Sequence, residues 1–200
     1  MQYEIIKKYL ARYDTLYSQG MKKDANRELQ ELCLWIDSLS SDDIDVLLKK
    51  LVTDICETDI FAFLFRRGNG QLPFQLRQII RNWLLPRCQQ GKMPELRWFY
   101  QIYKNDPDNA EYAYSCLDAA YAHAADDPKT QKLLFERNVE ALEFGLHELP
   151  IGLLISDEEA QLIFRQCGAI IQCGYAPMDL IERYSASKQE YDAYINSKNC

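Results

Sequence analysis

Histidine is scarce in these 200 residues, and no Cys-x-x-Cys pair occurs. The usual ligand spacings of a structural zinc site or a dithiol redox motif are therefore absent. The two histidines are His123 and His147. His147 follows Glu143 by four residues and Glu140 by seven, so all three can share a helix face. The paired Glu-x-x-His motifs of a di-iron bundle are nonetheless missing, as is His-Glu-x-x-His. His123 lies seven residues beyond Cys116, about 10 Å along a helix axis, too far for a direct thiolate–imidazole pair. There is no Gly-x-Ser-x-Gly, and the Gly-Asn-Gly at 68–70 lacks the Lys-Ser/Thr of a phosphate loop. No catalytic residue, metal ligand or cofactor is assigned on these grounds, and the expectation leans away from an enzyme.

Long apolar runs are also lacking. The uncharged stretch QCGAIIQCGYAPM has thirteen residues, too few for a membrane-spanning helix. The opening MQYEIIKKYLARYD is charged throughout and has no apolar leader core. A cytoplasmic protein without a membrane segment is the expectation. Seven irregularly spaced cysteines fit that compartment as reduced thiols packed like small hydrophobes.

Strand-like alternation is missing too, and helical periodicity fills the chain. Ile6, Tyr9, Leu10, Tyr13, Leu16 and Tyr17 form one stripe over 2–18. Ala25, Leu29, Leu32, Cys33 and Ile36 form another over about 22–38. In SSDDIDVLLKKLVTDIC, Ser40 or Ser41 can cap, Asp42 and Asp43 suit the positive helix start, and Ile44 to Ile55 keep the 3-4 spacing. RRGNGQLP reads as a break, with Pro73 opening the next helix. Pro86 is expected to end or kink that helix. Further starts are expected at Pro94, Asp108, Asp127–Pro128, Ser156 with Glu159 as a capping box, and Pro177.

The expected fold is all-α, with about eight to ten helices in an irregular bundle or a short solenoid-like stack of antiparallel hairpins. The uneven starts argue against a regular repeat. One domain over 1–200 is expected, with a weak subdivision near 66–73.

Charge is unevenly placed. Residues 1–100 carry 15 Lys/Arg and 13 Asp/Glu, whereas residues 101–200 carry 8 and 17. The second half offers Glu136, Glu140 and Glu143 on one helix face, with Asp118 and Asp126 upstream, as a surface for a basic protein partner. An ordinary solvated helix face explains any single one of them equally well. The segment 60–98 concentrates arginines, among them Arg66, Arg67, Arg77 and Arg81, as a candidate phosphate-binding patch. Nucleic acid is disfavoured by the acidic whole, and salt bridges within the chain or across a homodimer are the competing use.

Aromatic residues crowd RWFYQIYKNDPDNAEYAY. Trp98, Phe99 and Tyr100 are consecutive and cover about 200° of a helix, so that helix must be enclosed or lie at an interface. Enclosure comes first; a ligand pocket lined by Trp83, Trp98, Tyr100 and Tyr103 is the alternative. The leading functional expectation is a non-enzymatic protein-binding protein, in one form an immunity- or antitoxin-like inhibitor of a basic toxin. A ligand-binding or enzymatic helical bundle and a nucleic-acid-associated regulator using 66–97 are the competing classes.

Overall fold

The computed structural model describes residues 2–67 and 70–198, without the side chain of Arg67. Ten α-helices and no strand occur among the described residues. In order they are α1 (Gln2–Ser18), α2 (Lys22–Asp37), α3 (Ser41–Glu57), α4 (Ala62–Arg67), α5 (Phe74–Gln89), α6 (Glu95–Tyr103), α7 (Ala110–His123), α8 (Pro128–Leu146), α9 (Asp157–Gln172) and α10 (Met178–Lys198). The all-α expectation holds, and the helices pack on one another as in a bundle. The chain divides into two compact units, Met1–Cys116 and Leu117–Cys200, with the division inside α7.

Side-chain caps set the starts of α3, α8 and α9. Ser40 accepts from the backbone N–H of Asp43 at 3.2 Å and caps α3. Asp127 accepts from Thr130 N–H at 2.9 Å and caps α8, with Pro128 in its first turn. Ser156 and Glu159 form the full capping box of α9.

Three placements differ from the sequence reading. Helix α5 runs through Pro86 to Gln89. The hydrogen bond that Pro86 cannot donate falls near the helix end, where Asn82 and Pro86 are exposed. Asp108 does not cap α7. Instead the buried carboxylate of Asp106 accepts from Asp108 N–H at 3.0 Å and Asn109 Nδ2 at 3.2 Å, and α7 starts two residues later. The short helix α4 reaches to Arg67, into the stretch RRGNGQLP that reads as a break.

In the first unit α1 packs along α2, α2 also meets α5, and α3 packs on α5 and α6. Helix α6 is buried on every side within one chain: Gln101 alone of its nine residues is half-exposed. Its Phe99 ring stands edge-on to Tyr112 at 5.2 Å, and Tyr100 edge-on to Tyr114 at 5.5 Å. Enclosure, the first expectation for these rings, is what the chain itself provides.

In the second unit α8 packs on both α9 and α10. Leu134, Phe135, Val139 and Leu142 of α8 are fully buried. Phe164 of α9 meets Tyr184 and Tyr191 of α10 with ring centroids at 6.3 and 5.2 Å. Gly145 lets the segment after α8 fold back. A Cβ there would lie 2.5 Å from Ile155 Cγ2, while Leu154 N–H donates to Gly145 O at 2.8 Å.

Candidate functional site

The arginines of 66–97 are mostly engaged inside the first unit. Arg77 donates to Asp106 at 2.9 Å and Gln71 at 2.6 Å, and its side chain is only 14% exposed. Arg81 Nε donates to Asn109 Oδ1 at 2.7 Å. Arg97 donates to Glu57 at 2.5 Å with both side chains largely buried, and Arg87 pairs with Asp45. Arg66 is exposed, and the side chain of Arg67 lies outside the described residues. Internal pairing, the competing use, thus accounts for Arg77, Arg87 and Arg97.

The four candidate pocket residues are divided between two settings. Trp98, Tyr100 and Tyr103 are 3%, 1% and 0% exposed. Trp98 Nε1 donates to Glu57 Oε1 at 2.6 Å, and Tyr103 Oη donates to the Arg77 carbonyl at 2.6 Å. Burial holds the Tyr103 hydroxyl well above its usual range, so it stays a neutral donor.

Trp83 lies elsewhere, beside a cleft of about 640 Å³ between the start of α3 and the last turns of α5. Its Nε1 donates to Asp45 Oδ1 at 2.9 Å, and Arg87 stacks over its ring at 4.2 Å while pairing with the same carboxylate. The indole is thereby fixed on its edge by an anion and on its face by a cation. Asp42 and Asn82 line the same cleft; Trp98, Tyr100 and Tyr103 do not.

The second unit has a different electrostatic character. Residues 117–200 hold seven Lys/Arg against fourteen Asp/Glu, whereas residues 1–116 hold sixteen of each. The whole net charge of −7 therefore falls in the second unit. None of its fourteen carboxylates is buried, while Glu28, Asp54, Glu95 and Asp106 of the first unit are.

Among the predicted acidic residues, Asp118 pairs with Arg137 at 2.7 Å. Glu143 holds Arg183 of α10 through two bonds of 2.9 and 2.6 Å, and this contact raises the arginine above its ordinary range. Asp126, Glu136 and Glu140 have no ion pair among the described residues; Asp126 and Glu140 are exposed and Glu136 is half-buried. The five are thus two paired and three open carboxylates.

The sequence reading did not pick out a second polar cleft, of about 430 Å³, where α10 meets the first turns of α9. Asp157, Gln161, Asp192 and Asn196 line it, and Tyr191 Oη donates to Asp157 at 2.8 Å. Asp157 and Tyr191 are 34 residues apart, so no local spacing could flag the pair. No group of three or more His, Cys, Asp or Glu side chains among the described residues is arranged to hold a metal ion. No described helix is long and apolar enough to cross a membrane. No protein-family model, curated protein or solved structure matches the chain.

Proposed function

We propose that this chain is a non-enzymatic protein that docks a basic protein partner on the acidic surface of residues 117–200. The observation that carries the reading is the segregation of charge: the second unit holds all of the net −7, with every carboxylate at its surface. Such a surface draws a cationic partner through solvent, raises the encounter rate and repels polyanions. In its specific form the partner is a basic toxin, such as a nuclease, and the chain is its immunity- or antitoxin-like inhibitor in the cytoplasm. The internal pairing of Arg77, Arg87 and Arg97 weighs against a nucleic-acid-binding role for 66–97. The cleft at Trp83 supports a second reading, binding of a small ligand, because its volume falls in the usual range for such sites.

The test uses the three open carboxylates. A partner captured from the source cells is compared on wild type and on the Asp126→Asn, Glu136→Gln, Glu140→Gln variant, at low and moderate salt. Glutamine keeps helix propensity on α8, and the buried stripe Phe135–Val139–Leu142 is untouched. The variant should associate about tenfold more slowly at low salt, with a smaller salt dependence and little change in dissociation. Equal association rates at low salt would remove this surface from the reading.

A further inference from the structure

Three large apolar side chains near the connection from α8 to α9 lie outside the core of the second unit. Phe144, in the last turn of α8, is 66% exposed, and Ile151 and Leu154 of the following loop are 88% and 51% exposed. Phe144 lies off the buried stripe that runs through Leu142 and Leu146. It follows Glu140 by four residues, so the open carboxylate and the ring share a face of α8. The loop is fastened to the helix end. Leu154 N–H donates to Gly145 O at 2.8 Å, and Ile151 N–H donates to Glu148 O at 2.8 Å. Ile155 fills the space beside Gly145 that a Cβ would need. The backbone at 154 is thereby held beside that at 144–145, with Ile151 on the loop between.

Single exposed apolar side chains are ordinary on a protein surface, but a fastened cluster of three marks a contact region. Its surroundings decide what can cover it. Residues 138–164 contain six Asp or Glu and no Lys or Arg. Among these, Glu140, Glu148 and Glu158 are exposed. Arg183 of α10 is already held by Glu143 through bonds of 2.9 and 2.6 Å. A second copy of the chain in a two-fold contact would bring these carboxylates against themselves. An anionic lipid surface would be repelled as well, and helices that lie on one carry Lys and Arg beside their apolar face. A basic protein segment with apolar side chains suits both the cluster and its acidic rim.

We propose that Phe144, Ile151 and Leu154 form the anchor site for an amphipathic basic segment of a protein partner. The segment's apolar side chains cover the cluster, while its Lys or Arg side chains meet Glu140, Glu148 and Glu158. This rests on the acidic docking surface proposed above and adds the place where contact closes. Charge speeds the encounter, and burial of the apolar anchors holds the complex together. An apolar centre inside a polar rim is the usual anatomy of such interfaces. Anchors fixed before binding lose little freedom on contact, so the fastened loop favours slow dissociation.

The probe is a labelled synthetic peptide with leucine and lysine at helical spacing, titrated with full-length protein. A second peptide has glutamine for every leucine and keeps the charge; a third has glutamate for every lysine and keeps the apolar face. Wild type should bind the first about tenfold more tightly than either of the others. The Phe144→Gln, Ile151→Ser, Leu154→Ser variant should lose about tenfold in affinity for the first peptide, mainly through faster dissociation, and should bind the glutamine peptide as wild type does. All three side chains are exposed, so its melting temperature should hold. Should it melt early, Ile151→Ser alone, at the most exposed of the three positions, should still lose about threefold. Equal binding of the first two peptides, with no loss in the variant, would overturn the anchor site and leave the acidic surface standing. Binding of neither lysine peptide would remove both. Equally tight binding of the glutamate peptide would overturn the basic occupant. Dimerisation of wild type in sedimentation, or its binding to phosphatidylserine vesicles, abolished in the variant, would overturn the proposal in favour of a second copy or a membrane.

Discussion

Glu57 shows what single residues contribute beyond their charge. Its Oε1 accepts from Arg97 at 2.5 Å and from Trp98 Nε1 at 2.6 Å, with little access to water. Removing one partner of such a pair strands a buried charge, which costs far more than a surface bridge. Glu57→Ala should lower unfolding stability by about 3–5 kcal/mol in a urea titration. A loss under about 1 kcal/mol would mean that Arg97 reaches water and the pair is of the exposed kind. Sequence spacing offers no view of this. The partners are 40 and 41 residues apart, and Arg81 and Asn109 are 28 apart, whereas helical periodicity reports only on neighbours three or four positions away. The arginines of 66–97 were therefore legible as a cluster but not as inward-facing groups. The rings at 98–100 were likewise legible as needing cover, yet what covers them lies on helices distant in the chain.

At the scale of the helix the sequence was far more readable, because caps act over three residues. Ser40, Asp127 and the Ser156–Glu159 box all occupy their expected positions. The misses have the same logic in reverse. Pro86 does not end α5, because the bond it cannot donate falls at the exposed last turn, and α7 begins late because Asp106, not Asp108, organises the turn before it. Glu159 offers a test of cap energetics. Bonds from the backbone and then the side chain of Ser156 lower its carboxyl below the ordinary range. A carboxyl lowered on folding adds stability that is present above its unfolded value and is lost as pH falls through the folded value. The melting temperature of wild type should therefore exceed that of Glu159→Gln at neutral pH, and the gap should close toward about pH 3. A gap that persists unchanged in acid would show that the ionised carboxylate is not what stabilises the start of α9.

For the molecule as a whole, charge distribution governs what it meets. The excess of acid in the second half was plain from the sequence. What folding adds is that the neutral unit buries four of its carboxylates while the acidic unit buries none. A polyanion meeting this chain finds Arg77, Arg87 and Arg97 already paired and a unit of net negative charge. Wild type should accordingly leave labelled duplex DNA unshifted in anisotropy at low salt, where counterion release most favours binding. Salt-sensitive DNA binding that disappears in an Arg66→Ala, Arg67→Ala variant would reverse the assignment of the two surfaces.

The setting of Trp83 has an optical consequence. An indole with a carboxylate on its N–H and a guanidinium over its face sits in a strong, oriented local field, and an excited indole shifts its emission when such a field changes. The other two tryptophans lack this arrangement: Trp35 is half-buried, and Trp98 is sealed against Glu57. Whatever enters the cleft and draws Arg87 or Asp45 aside alters the colour of one fluorophore out of three. The fold thus carries its own unlabelled gauge of occupancy at that cleft, readable before any ligand has been identified.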